Sequence, residues 1–170
     1  MKILRVSDKK FLRSFAVFVF CGLLVYLTSL KLIFSATPSV GVHFLLREDC
    51  PPRPHRFDLV EIKPPENDPF VPGDINLVKC VACFPGEKVI RKGKRFFCLT
   101  REGLRLDLGP IKFRAKDGRP LTPWLSDDSS ALIPEGYVFV IGDKTPHSYD
   151  SRYFGPVPVG RILSCPVPLF

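Results

Sequence analysis

The sequence predicts a mainly β domain, residues 35–170, carried behind one N-terminal membrane-spanning helix. Two observations lead there. The stretch from Ser14 to Phe34, SFAVFVFCGLLVYLTSLKLIF, holds one charge in 21 positions, and at about 1.5 Å per residue a helix of that length crosses a hydrocarbon core roughly 30 Å thick. Beyond it, short apolar runs alternate with turn residues, and most of the chain's 12 glycines and 18 prolines fall there. That is the pattern of a chain that turns back on itself often.

Residues 1–13 form a tail in which Lys2, Arg5, Lys9, Lys10 and Arg13 outnumber Asp8. By the positive-inside rule the tail stays in the cytoplasm, residues 14–34 are the anchor and residues 35–170 lie outside, in a bacterial periplasm or similar oxidising space. Lys31, near the exit, can extend its stem so that the amine reaches the interface. A cleaved signal peptide has an apolar core of about 7–15 residues; the longer run here favours a retained anchor. Expected strands follow at 42–47, 58–63, 75–84, 88–100 (a hairpin), 137–142 and 159–163, with 103–133 read as a polar excursion in which Trp124 stands isolated.

Of the net charge of +8, the tail contributes +4 and Lys31 one more, leaving +3 for residues 35–170. Without a basic run interleaved with aromatics, that surplus does not call for nucleic acid. Beyond Cys21 in the anchor lie Cys50, Cys80, Cys83, Cys98 and Cys165. In an oxidising compartment these permit two disulfides and leave one thiol. Cys80 and Cys83 form a C-x-x-C without a second pair at zinc spacing, so no metal or other cofactor is expected; a structural bridge such as Cys83 to Cys98, across the hairpin, is the alternative.

The strand around Lys79 carries the first chemical signal. With alternating side chains, Ile75, Leu77, Lys79, Val81 and Cys83 share one face. A lysine there is either an edge residue reaching water or a buried amine with a lowered pKa, able to act as a general base. A partner nucleophile needs a base within reach. Ser39 stands just past the anchor, and His43, His55 and His147 are the histidines to weigh. A Ser39–His147–Asp150 triad can be written on paper, but no G-x-S-x-G elbow supports it. A Ser39–Lys79 pair is the other arrangement.

Three stretches in order resemble the type I signal peptidases. VKCVACFPGE (78–87) is similar to their lysine motif, V-K-R-V-x-x-x-P-G-D. GDKTPHSYDSRYFGPVP (142–158) is similar to their C-terminal motif, G-D-N…S-x-D-S-R-x-[FYW]-G-x-V. ATPSVG (36–41) is similar to the serine motif, S-M-x-P, with a threonine two residues upstream. The T-P-S opening and the S-Y-D-S-R-Y-F-G-P-V-P ending most resemble the conjugative-transfer branch, the TraF-type peptidases that mature pilin precursors.

The resemblance implies an antiparallel β catalytic domain of the kind shared with LexA-like self-cleaving repressors, and serine-endopeptidase activity on the leader segments of exported precursors such as a propilin, beside membrane lipid. It makes Ser39 the nucleophile, with its own N–H as one oxyanion donor and the Thr37 hydroxyl as the second. It makes Lys79 the base, Ser148 the group that orients the amine, Asp150 and Arg152 a supporting ion pair, and Gly142 and Asp143 the shapers of the adjoining turn. Gly41 and His43 depart from the branch, which usually has proline and glycine there. Three alternatives stay open: hydrolysis or cyclisation of the product, a general leader peptidase, and an inactive scaffold that keeps the fold.

Overall fold

The computed structural model describes residues 6–29, 31–35, 38–52, 54–142 and 147–169. Thr37 and Asp143 lie outside them. The chain divides into two units, Met1–Leu32 and Ile33–Phe170.

The first unit is helix α1 (Val6–Ser29), whose Lys10–Ser29 stretch is long and apolar enough to cross a membrane. The helix ends earlier than the apolar run. Thr28 Oγ1 donates to Leu24 O at 2.9 Å and Ser29 Oγ to Tyr26 O at 2.7 Å, and Lys31 N closes a turn on Thr28 O at 3.1 Å. Hydropathy does not distinguish conformations, so the final apolar residues of the run, Leu32–Phe34, turn out to be a strand.

The second unit is mainly β. In chain order its strands are β1 (Leu32–Phe34), β2 (Phe44–Leu46), β3 (Leu59–Ile62), β4 (Leu77–Cys83), β5 (Lys88–Lys92), β6 (Arg95–Leu99), β7 (Arg105–Pro110), β8 (Ser130–Leu132) and β9 (Tyr137–Ile141), then helix α2 (Ser151–Phe154), β10 (Val157–Pro158), β11 (Ile162–Ser164) and β12 (Val167–Pro168). They form three sheets, ordered β1-β2-β12, β10-β9-β4-β3-β11 and β7-β6-β5-β8. The last two are antiparallel throughout. The expected hairpin at 88–100 is β5–β6, paired from Lys88↔Leu99 to Lys92↔Arg95.

Strand β4 is the centre of the fold. It lies between β9 and β3 and contributes to three apolar clusters: Ala82 and Cys83 pack with Phe96 and Phe139, Val81 with Val60 and Val140, and Val78 and Cys80 with Val40 and Leu45. This corrects the single-face reading of 75–83. Ile75 lies outside the strand and is exposed, and a register shift against β9 between Val81 and Cys83 carries Cys83 to the same cluster as Ala82. A strand buried on both faces reads as a continuous apolar run rather than as an alternation.

The 103–133 stretch is also more ordered than its polarity suggests. It supplies β7 and β8. Trp124 is not isolated: its ring lies 5.9 Å from that of Phe139, and its N–H donates to Arg152 O at 2.9 Å. At 159–163 the first three residues form a 3-10 turn, Val159–Arg161, and the strand starts at Ile162.

Two disulfides close the domain. Cys83–Cys98 spans 15 residues at the hairpin, and Cys50–Cys165 spans 115. The two cysteines of the C-x-x-C therefore part company, and Cys80 is a buried thiol. Closing a loop of that length removes much freedom from the unfolded chain. Replacing Cys50 and Cys165 together by serine is expected to lower stability by about 2–4 kcal/mol, measured as a shift in the urea midpoint. Peptide mapping without reductant should recover both bridges, with Cys80 alkylated only after unfolding.

Candidate active site

Ser39 lies in a 3-10 turn, Pro38–Val40, that packs against β4. Val40 anchors the turn by burying itself against Val78 and Cys80, and Ser39 is itself buried. The loop carrying the turn is closed at its base: Ser35 N donates to His43 O at 2.8 Å, and His43 Nδ1 lies 2.8 Å from Ser35 O. Gly41 has φ +77°, a backbone region that strains residues with a Cβ. The two departures from the family pattern thus have a local account, a left-handed turn followed by a histidine latch.

Lys79 sits opposite Val60 on β4, on a central strand rather than an edge, and is only 3% exposed. The edge-residue reading is excluded. Its Nζ donates to Ser148 Oγ at 3.0 Å. Burial lowers its pKa below the ordinary lysine value. The Arg152 charge pushes the same way, while Asp150 and the Cys80 thiol oppose. Loss of solvation is the largest of these effects.

Gly142 explains how two serines reach one place. A Cβ at this residue would lie 2.1 Å from Ser148 Oγ and 3.1 Å from the Ser39 Cβ. Only glycine lets β9 end against both side chains, a requirement of close approach.

Asp150 fixes that corner. Its Oδ2 accepts from Gly142 N at 2.9 Å and from Arg152 Nη2 at 2.7 Å. Its Oδ1 accepts from Arg152 N at 3.2 Å and from Arg152 Nε at 2.8 Å. Arg152 Nη1 continues to the carbonyls of Leu108 and Pro110 at 3.2 and 2.8 Å. The pair is buried, 0% and 2% exposed, and the Asp150 bonds hold the Arg152 pKa above its ordinary value even against the cost of burial. Four donors saturate the carboxylate, so it has no capacity left to orient a histidine. The paper triad is not formed. His147 Nε2 instead lies 2.6 Å from Lys112 Nζ, and His55 Nδ1 lies 3.5 Å from Asp58 Oδ2.

Ser39, Lys79 and Ser148 line one open cleft of about 350 Å³ with Phe70, Val71 and Tyr149. Sequence reasoning missed these last three. Asp68 Oδ1 accepts from the N–H groups of Phe70 and Val71 at 2.8 and 3.0 Å, and its Oδ2 accepts from the Tyr149 hydroxyl at 2.9 Å. The aspartate turn at Asp68–Pro69 was legible as a local signal. Its tie to Tyr149, 81 residues away, was not. Burial and Asp68 together push the Tyr149 pKa well above its ordinary value.

A small antiparallel β domain with a sequestered lysine and two serines at one cleft defines a class of serine-and-lysine site. The chain belongs to the family described as signal peptidase, peptidase S26, which it matches over residues 10–165. It is 30% identical over 115 residues to a probable conjugal transfer protein TraF of Sinorhizobium fredii, covering 67% of this chain and 56% of that protein. It is 29% identical over 105 residues to signal peptidase I V of Bacillus subtilis, covering 61% and 58%. The matched region thus spans little more than half the length of these relatives. Among solved structures, a signal peptidase I of Enterococcus faecalis superposes with a TM-score of 0.42 at 26% identity, over 66% of this chain and 96% of that one.

A lysine whose pKa is lower folded than unfolded makes the native state bind fewer protons between the two values. Stability then rises with pH across that window, up to the ordinary value of 10.5. Lys79→Met removes the effect. The variant is expected to be more stable than wild type by the largest margin on the acid side of the window, and the margin should shrink as pH approaches 10.5. Urea unfolding of both proteins at several pH values reads it; a margin that widens with pH contradicts the buried amine.

Proposed function

We propose that the protein is a membrane-anchored serine endopeptidase that uses Ser39 and Lys79 to remove leader segments from exported precursors. One observation carries this reading: a lysine amine enclosed in the sheet, bonded to Ser148 and lining the cleft of Ser39, in a chain of a signal peptidase family.

The neutral Lys79 amine takes the proton of the Ser39 hydroxyl as Oγ attacks the scissile carbonyl carbon. The tetrahedral oxyanion is held by the Ser39 N–H and the Thr37 hydroxyl, a contribution of about 3 kcal/mol for one such donor. The lysinium then gives its proton to the leaving amine as the C–N bond breaks. Water attacks the resulting ester, Lys79 again accepts the proton, and Ser39 recovers it on departure. Ser148 steers the amine, and Asp150, Arg152 and Gly142 hold Ser148 in place.

The apolar part of α1 and the basic tail before it support a single crossing with the β domain outside. Two disulfides support an oxidising compartment, the periplasm of a bacterium. Anchoring both enzyme and precursor at one bilayer raises their effective concentration without new contacts. The names of the TraF relatives and the Y-D-S-R-Y-F-G-P-V-P ending favour a conjugative pilin precursor as substrate, released by water or by its own amine in cyclisation. A general leader peptidase is the second reading, favoured by the near-equal identity to the Bacillus enzyme.

Ser39→Ala and Lys79→Ala are each expected to reduce cleavage of a leader-bearing precursor by at least about 10⁴-fold, with membrane insertion unchanged. Wild-type kcat/KM should rise with pH as Lys79 loses its proton. Robust cleavage by Lys79→Ala would exclude it as the base.

A further inference from the structure

Residues 112–119, KFRAKDGR, carry four bases against one acid. Residues 35–170 carry nineteen against sixteen, so this short segment holds the domain's whole positive surplus and the remainder is balanced. The fold sets it at the cleft. A hairpin closed by Ala115 N to Arg119 O and Leu121 N to Phe113 O, both 2.9 Å, brings Lys116, Asp117 and Arg119 to the same lining as Ser39.

Three of the four bases have a polar partner, and one of those partners is a carboxylate. Arg119 Nε donates to Asp117 Oδ2 at 2.7 Å, and its guanidinium lies 4.5 Å over the Phe70 ring. Arg114 Nη1 donates to Gly118 O at 3.1 Å. Lys116 has no side-chain partner among the described residues, and Lys112 faces another base, His147, rather than a carboxylate. The nearby Asp68 is taken up by Tyr149 and two backbone N–H groups.

We propose that this wall reads an acidic side chain of the substrate, so that precursors with Asp or Glu close to the scissile bond are preferred. The inference rests on the peptidase reading of the same cleft. A membrane also offers anionic groups, but a bilayer surface does not enter a cleft of about 350 Å³; a peptide held with its bond at Ser39 passes along it. Exposed ion pairs are weak, so each lysine should contribute a few-fold and the preference should fade with salt.

The test uses the full chain in neutral detergent and a set of fluorescein-labelled decapeptides containing Ala-Gln-Ala. One Asp is walked through the other positions, each peptide having its Asn twin. Binding is read by anisotropy with Ser39→Ala protein, and cleavage with wild type. At one or two adjacent positions the Asp peptide is expected to bind about three- to tenfold tighter than its twin in dilute buffer, and less than about twofold tighter at 0.5 M salt. Lys116→Arg should keep the preference, and Lys112→Glu with Lys116→Glu should invert it.

Equal binding of the twins at every position, or no binding at all, overturns the inference whatever the cleavage result. Cleavage of no peptide by wild type, with discrimination in binding intact, overturns the peptidase reading instead. A charge-reversal effect seen only in phosphatidylglycerol vesicles, and equal for Asp and Asn, assigns the patch to lipid and also overturns the inference.

Discussion

The corner of the cleft depends on where one buried carboxylate sits. Asp150 takes two backbone N–H groups and both arms of Arg152, and Arg152 reaches on to the β7 carbonyls. That single cluster ties the end of β9, the start of α2 and the neighbouring four-stranded sheet. It also fixes Ser148, two residues before it, against Gly142 and the Lys79 amine. Removing one partner of such a pair leaves an uncompensated buried charge at a cost of about 3–5 kcal/mol, so the arrangement is held together or lost together.

The same cluster also acts on the pKa of the lysine. A bare carboxylate at Asp150 would favour the ammonium form of Lys79, and the Asp150 field does act in that direction. Arg152 supplies an opposing field from the same spot, leaving burial as the dominant effect. The ion pair is therefore more than a brace: it allows a carboxylate to organise the backbone of the site without becoming the counter-ion of Lys79. The lowered pKa of the amine then follows chiefly from enclosure within the sheet.

Much of this could be read from the chain, for physical reasons that differ by element. Strands β3, β4, β5, β6 and β9 are apolar runs between turn signals, and local sequence specifies them well. Lys79 and Ser148 could be paired only through the motif resemblance, because 69 residues separate them and no local pattern links them. The β7 and β8 strands escaped notice because Gly109 and Pro110 interrupt one and three residues make up the other. Trp124 read as isolated because its partners, Phe139 and the Arg152 carbonyl, are distant in sequence. The tie from Asp68 to Tyr149 was hidden in the same way, and with it part of the lining of the cleft.

Register is the remaining constraint on Lys79. Side chains alternate along a strand, so a slip of one residue would present Val78 or Cys80 where Lys79 belongs. Two further buried charge clusters bracket β4 and oppose such a slip. On one side Glu61, paired with Val78, accepts from Arg47 twice, from Asn76 and from Ser164. The burial that would raise its pKa is outweighed by these donors, and it stays ionised more readily than an ordinary glutamate. On the other side Arg56 holds the Ala82 carbonyl and the Glu87 carboxylate together, next to the Cys83–Cys98 bridge. A slip would separate both carboxylates from donors that burial makes hard to replace. The polar residues buried along this strand thus serve position more than stability, and what they position is the enclosed Lys79 amine beside Ser148.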